Sequence, residues 1–190
     1  MIEVTRETKE TQISVKLILY GKGESKIDTG VGFFDHMLEA FAKHAHIDLE
    51  VRCKGDTHID DHHTVEDIGI VIAQAFKKAV YPVKNIERFG NATVVMDEAS
   101  VTCDIDLSNR GFLVFELPVS GKVGNFDVEL VEEFFRAFAF NLPLTLHLIY
   151  NRGKNKHHII EAAFKALAVS MRRAVTHNAN AGIPSTKGVL

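Results

Sequence analysis

Residues 62–80 read HHTVEDIGIVIAQAFKKAV, and residues 157–175 read HHIIEAAFKALAVSMRRAV. Sliding the chain by 95 residues superposes His62 on His157, His63 on His158, Glu66 on Glu161, and Lys77-Lys78-Ala79-Val80 on Arg172-Arg173-Ala174-Val175. Each stretch spaces its apolar residues at the helical period and places bases in its last turns, where the helix dipole favours them. Each therefore predicts a long helix. A shorter match sets ETQISVKL from Glu10 beside EASVTCDI from Glu98. Together the matches predict an internally duplicated β…β-α-β-α unit, with residues 1–90 and 91–190 as two halves fused into one compact domain.

The segments between these helices fit that scheme. Ile13, Val15, Leu17 and Leu19 alternate as in a strand with one buried face, and GKGE supplies a turn. Phe34, Met37, Leu38 and Phe41 then recur at helical spacing, with Asp35 as a candidate N-cap, and IDLEVRC alternates again. In the second half ATVVMDE, SVTCDIDLS and FLVFEL predict strands, DVELVEEFFRAFAF a helix, and LTLHLIYN a strand. GVG at Gly30–Gly32 lacks the length and the Lys of a P-loop and reads as a turn.

Composition narrows the function classes. With 190 residues, 46% hydrophobic and 25% charged, the chain has the profile of a globular domain rather than a disordered or fibrous one. Lys and Arg number 22 against 25 Asp and Glu, a net charge of −3, and there is no basic stretch, which argues against nucleic acid or an anionic membrane as partner. No apolar run approaches the ~20 residues of a membrane span, and MIEVTRETKE has no apolar signal core. Two cysteines, Cys53 and Cys103, provide no disulfide framework and fit a reducing cytoplasm.

Ten histidines stand out, six of them between His36 and His63. On a helix Glu66 follows His62 by four residues and His63 by three, so it shares a face with either. The adjacent histidines diverge by about 100° around the axis, so one helix offers a His and the Glu to one ion and its other His to a second. Two such helices supply His62, His63, Glu66, His157, His158 and Glu161 for two ions, with His36 as a further candidate ligand. Imidazole and carboxylate donors without thiolate suit Mn, Fe, Ni or Zn. A helix core has no packing reason to repeat two polar rings and an acid. His44 and His46 read as surface or satisfied residues, His147 as structural in its alternating strand, and His177 as a favourable charge near a helix end. His58 lies in the acidic loop GDTHIDD without an assigned role.

FFDHMLEAFAKH, GDTHIDDHHTVEDIGI, DEASVTCDIDLSNRG, GKNKHHIIEAAFKA and the terminal IPSTKGVL, taken in order, resemble imidazoleglycerol-phosphate dehydratases of histidine biosynthesis, from about Arg6 to Leu190. The resemblance implies an α+β fold of internally duplicated β-sheet/two-helix units, ribosomal protein S5 domain 2-like, with helices packed on one face of each sheet. It implies two Mn ions per active site, built between subunits of a cubic homo-oligomer of 24 chains. Its metal ligands fall on His36, His62, His63, Glu66, His157, His158 and Glu161. Where many members have E-H-F-F this chain has Glu132-Glu133-Phe134-Phe135, which puts Glu133 at a ligand position.

The family reaction removes water from D-erythro-imidazole-glycerol phosphate to give imidazole-acetol phosphate. The proton removed is not next to a carbonyl, so the implied route uses a metal-bound imidazolate that expels the hydroxyl through a diazafulvene-like intermediate. The resemblance assigns the general acid/base to Glu10, with Glu98, beside Asp97, as its counterpart across the repeat. It also assigns phosphate binding to Arg88, Arg110, Lys165, Ser185 and Lys187, the last two in a C-terminal substrate-binding tail. Read without the family, Lys165 is equally an ion-pair partner of Glu161 four residues before it. Two other readings are a two-metal phosphate-ester hydrolase and a non-enzymatic metal-storage assembly. The first lacks an Asp-rich metal shell, and the second leaves the cationic set without purpose.

Overall fold

Alternation along residues 11–18 buries Ile13, Val15 and Leu17 and turns Gln12, Ser14, Lys16 and Ile18 the other way. In the computed structural model, which describes all 190 residues, this strand becomes an interior strand of the first sheet. The first half runs β1 (Ile2–Glu7), β2 (Thr11–Ile18), β3 (Ser25–Asp28), α1 (Gly32–Ala45), β4 (Asp48–Gly55) and α2 (His62–Val80). The second runs β5 (Phe89–Met96), β6 (Ala99–Asp106), β7 (Phe112–Glu116), β8 (Lys122–Val123), β9 (Phe126–Asp127), α3 (Leu130–Asn141), β10 (Thr145–Arg152) and α4 (Lys156–Ala174).

The two sheets have the same plan, ordered β1-β2-β4-β3 and β5-β6-β10-β7. In each, the last pair is parallel and the others antiparallel. The hairpin registers repeat as well: Arg6 faces Ile13 as Val94 faces Val101, and Glu7 faces Gln12 as Val95 faces Ser100. The predicted duplication is borne out, and only the small β8–β9 ribbon has no counterpart in the first half.

Helices cover one face of each sheet and meet each other in the middle. α2 packs on β1 and β2, α4 on β5 and β6, while α2 contacts α3 and α1 contacts α4 across the halves. One apolar core of 53 buried residues runs through both halves. Its centre is aromatic: Phe134 lies 5.1 Å from Phe164 and 5.4 Å from Phe34, and Phe138 lies within 6.2 Å of Phe41 and Phe76. Burying each of these rings is worth about 1.5–3 kcal/mol. The helices come this close because α2 has Gly69 at the crossing. A Cβ there would meet the Phe134 carbonyl oxygen at 3.0 Å and the Ala137 Cβ at 3.1 Å.

Several local expectations are corrected. β1 and β3 were not predicted as strands. β1 has Arg6 at an inward position, which breaks the apolar alternation, and β3 is a four-residue edge strand with no fully buried side chain. Asp35 is not the N-cap of α1, which is Val31; it sits within the first turn and accepts from the Thr29 N–H and hydroxyl. α3 begins at Leu130, because Asp127 pairs in β9. α4 ends at Ala174, and His177, three residues beyond it, forms an isolated bridge with Ile86. His46 ends α1 in a left-handed conformation, and its ring nitrogen lies 3.0 Å from Arg172. Both cysteines are free.

Candidate metal centre and substrate cleft

The Asn155 side chain caps α4 by accepting from the His157 N–H at 2.9 Å, which fixes the paired histidines in the helix's first turn. One turn on, Glu161 is almost fully buried, with its side chain 7% exposed. One carboxylate oxygen accepts from Lys165 Nζ at 2.7 Å. The other faces His157 Nε2 at 3.1 Å and His36 Nε2 at 3.4 Å. Burial alone would raise the Glu161 carboxyl, but the Lys165 hydrogen bond and the cationic neighbours hold it below the usual range. His36 comes from α1 in the first half and His157 and Glu161 from α4 in the second. Their donor atoms lie within 4.8 Å of one another, the only such group of three in the chain. Two imidazole nitrogens and one anionic oxygen, with no thiolate, fit a first-row divalent ion.

The other histidines are arranged with pseudo-symmetry. The His62 and His63 rings lie 6.1 Å apart at 81°, and those of His157 and His158 lie 6.1 Å apart at 77°. His63 Nδ1 donates to Asp56 at 3.0 Å and its Nε2 lies 3.7 Å from Glu10. His158 Nδ1 donates to Glu98 at 2.8 Å and its Nε2 lies 3.9 Å from Asp97. In both, a carboxylate holds Nδ1 and leaves Nε2 as the outward donor, the arrangement that orients metal-binding imidazoles. Asp56 and Glu98 raise the affinity of these rings for a proton. Glu98 itself is held at about 2 by His158 and by the backbone N–H groups of Asn155 and Lys154. It is a fixed anion at neutral pH, whereas no backbone N–H clamps the Glu10 carboxylate. His62 Nε2 lies 3.9 Å from Glu66. Sequence reading gave Asp56 no role; the only available signal was its place just after a strand, seven residues before His63.

A cleft of about 750 Å³ gathers Arg88, Ser108, Arg110, Ser185 and Lys187. Arg88 is held in a left-handed conformation, φ 70°, and its guanidinium makes two bonds to Asp106, at 2.7 and 3.1 Å. A third N–H reaches the Pro184 carbonyl at 2.7 Å and so anchors the C-terminal segment against the sheet. Asp106 offsets the Arg88 charge, while Arg110 and Lys187 form no ion pair and leave the cleft cationic. Asn109, beside Arg110, also has positive φ, and backbone strain of this kind concentrates at sites. Lys165 does not line this cleft; it sits at the metal cluster against Glu161.

One chain does not gather every candidate ligand. His62, His63, Glu66 and His158 lie outside the His36–His157–Glu161 group. Glu133, half-buried on α3, also lies outside it and makes no side-chain hydrogen bond or ion pair.

The imidazoleglycerol-phosphate dehydratase family model matches residues 29–171. The chain is 89% identical to the imidazoleglycerol-phosphate dehydratase of Sulfurovum sp. (strain NBC37-1), and 64% identical to that of Sulfurimonas denitrificans, over the full length of both chains in each case. Among solved structures, the enzyme from Pyrococcus furiosus in complex with (S)-C348 superposes with a TM-score of 0.87 at 37% identity, covering 98% of this chain and 100% of that one. The Staphylococcus aureus enzyme gives 0.83 at 40% identity, covering 93% and 99%. The matched region holds both HHxxE motifs and the two relatives align end to end, so the chain belongs to the imidazoleglycerol-phosphate dehydratase family, hydro-lyases of histidine biosynthesis.

Proposed function

We propose that the chain dehydrates D-erythro-imidazole-glycerol phosphate to imidazole-acetol phosphate using two Mn ions per active site. The sites would lie between subunits of a cytoplasmic homo-oligomer of 24 chains. The observation that carries this reading is the His36–His157–Glu161 constellation, a ready two-nitrogen, one-oxygen donor set joining the two halves. The first-half residues that correspond to His157, His158 and Glu161, namely His62, His63 and Glu66, lie outside that cluster. A second copy supplying the missing donors therefore completes each site, with His158 and Glu133 as further ligands. When bound, the ions supply Lewis acidity to the substrate's ring nitrogens, so that the ring acts as electron source and sink for loss of the hydroxyl.

The protein's own groups do the rest. Asp56 and Glu98 hold the His63 and His158 rings with Nε2 outward, and Asp97 adds negative charge beside His158. Arg110, Lys187 and the outer N–H groups of Arg88 hold the phosphate, with Ser185 donating from the tail turn. Lys165 keeps Glu161 ionised and is close enough to the metal cluster to meet a substrate oxygen. Glu10, on the β1–β2 turn and half exposed, takes the proton from the carbon beside the one that loses its hydroxyl and returns it to that hydroxyl, which departs as water. Full-length kinship to dehydratases leaves the hydrolase and storage readings without support.

The test supplies imidazole-glycerol phosphate with and without Mn and follows ketone and free phosphate. Ketone formation that needs Mn is expected; free phosphate without ketone would overturn the reading. Glu10→Gln is expected to keep metal and assembly while losing most turnover, and an unchanged rate would remove Glu10 from the mechanism.

A further inference from the structure

Asp67 is a buried carboxylate for which the proposed reaction has no use. It is 6% exposed, lies directly after Glu66 on α2, and faces the sheet rather than the substrate side. One of its oxygens accepts from Arg6 Nε on β1 at 3.0 Å, and the other accepts from the Thr11 hydroxyl on β2 at 2.5 Å. Thr11 is 1% exposed and directly follows Glu10. Across the same turn, the Thr8 hydroxyl accepts from the backbone N–H groups of Glu10, at 3.1 Å, and Thr11, at 3.0 Å. A continuous set of hydrogen bonds thus runs from the helix that presents His63 to the backbone of Glu10.

The second half shows that folding does not require these polar groups. By the repeat registers Arg6 corresponds to Val94, Thr11 to Ala99 and Asp67 to Ala162. Ala99 and Ala162 are buried, and Val94 packs against the core. The same strand–helix junction is therefore filled by apolar side chains in one half and by an Arg–Asp–Thr triad in the other. A buried ion pair is seldom worth more to stability than a well-packed apolar replacement, but its hydrogen bonds are directional. The two carboxylates beside this junction differ too. Glu98 is clamped through its own carboxylate, whereas the Glu10 carboxylate has no such clamp.

We propose that Asp67, through Thr11 and Arg6, is a positioning residue that fixes the Glu10 turn against the His63 helix. This sets the approach of the Glu10 carboxylate to the reacting carbon while leaving that carboxylate free to exchange a proton. The proposal rests on Glu10 being the acid–base group. Displacing such a group by an ångström costs rate rather than binding.

The test compares Thr11→Ala, Thr11→Ser, Asp67→Asn and the triple variant Arg6→Val/Thr11→Ala/Asp67→Ala, which copies the second half. All are assayed as the assembled Mn-loaded protein, with kcat expressed per bound metal. Thr11→Ala, Asp67→Asn and the triple variant are expected to lose roughly tenfold or more in kcat with KM within about twofold of the parent. Thr11→Ser, which keeps the hydroxyl, is expected to retain parental kcat, and the triple variant to assemble and melt like the parent. An unchanged kcat in Thr11→Ala and Asp67→Asn overturns the proposal. So does a loss that follows bound metal or KM, because the triad would then merely support the ligand helix. Glu10→Gln, run alongside, separates the two readings. If it retains turnover, the acid–base assignment fails; if it loses turnover while the triad variants do not, only the positioning role fails.

Discussion

Replacing Glu161 by Gln tests the metal centre most directly, because the carboxylate serves two kinds of partner at once. One oxygen accepts from Lys165 at 2.7 Å; the other faces His157 at 3.1 Å and His36 at 3.4 Å. Glutamine has a single carbonyl oxygen, and Lys165 has only N–H donors, so that oxygen turns to Lys165. The amide NH₂ then points at the two Nε2 atoms, where an ion would have to sit. A buried ion pair becomes a bond from a charged donor to a neutral acceptor, and the Lys165 charge loses its counter-charge at a site that is 7% exposed, a loss of about 1.5–3 kcal/mol. For a chain of this size that lowers the Tm of metal-free protein by about 3–12 °C. Metal uptake at this cluster should disappear, since a donor has replaced the anionic ligand.

Lys165→Met gives the opposite pattern. It leaves the Glu161 carboxylate buried without its cation, a cost of about 3–5 kcal/mol in metal-free protein, but an added divalent ion replaces the lost charge and restores stability. The double variant should be less destabilised than the sum of the two single changes. Thermal unfolding after chelation, repeated with added Mn, and elemental analysis of the dialysed protein provide the measurements. Glu161→Gln with unchanged Tm and full metal content would refute both the pairing with Lys165 and the ligand assignment.

Two further outcomes follow from the same structure. Gly90→Ala places a Cβ 2.0 Å from the Ser170 carbonyl oxygen and 2.8 Å from the Ala174 nitrogen, so β5 must move away from α4. Thermal unfolding should register a loss of about 1–3 kcal/mol or more, accompanied by a raised KM because Arg88 lies two residues away; a parental Tm would contradict the close approach. Glu98, with a folded-state value of about 2 against an ordinary value of 4.5, contributes stability that is complete above the ordinary carboxylate range and is lost as pH falls toward 2. The Tm gap between metal-free parent and Glu98→Gln should therefore be largest near neutrality and close between about pH 4.5 and 2. A gap independent of pH would show that the Glu98 charge is not what holds the β10–α4 turn.

The sequence determined the duplication, because 19-residue helices of matching polarity cannot recur at a fixed offset without the same packing environment recurring. It determined the strong strands β2, β4, β6 and β10 for the same reason: strict alternation has only one solution beside a helical layer. β1 escaped it, since an inward Arg6 looks like a surface residue until Asp67 is seen beside it. β3 escaped it because a short edge strand buries too little to leave a pattern. Glu66 and Glu161 look equivalent along the chain, yet only Glu161 is buried between His36, His157 and Lys165. Glu10 and Glu98 are likewise equivalent by register, and the fold alone separates them by delivering two backbone N–H groups and a hydrogen-bonded histidine to Glu98, against a histidine 3.7 Å away and no backbone N–H for Glu10. Residue type and spacing specify which donors exist. Which donors converge, and which carboxylate stays free, depends on contacts 56 to 125 positions apart in the chain, and only the tertiary structure closes those distances.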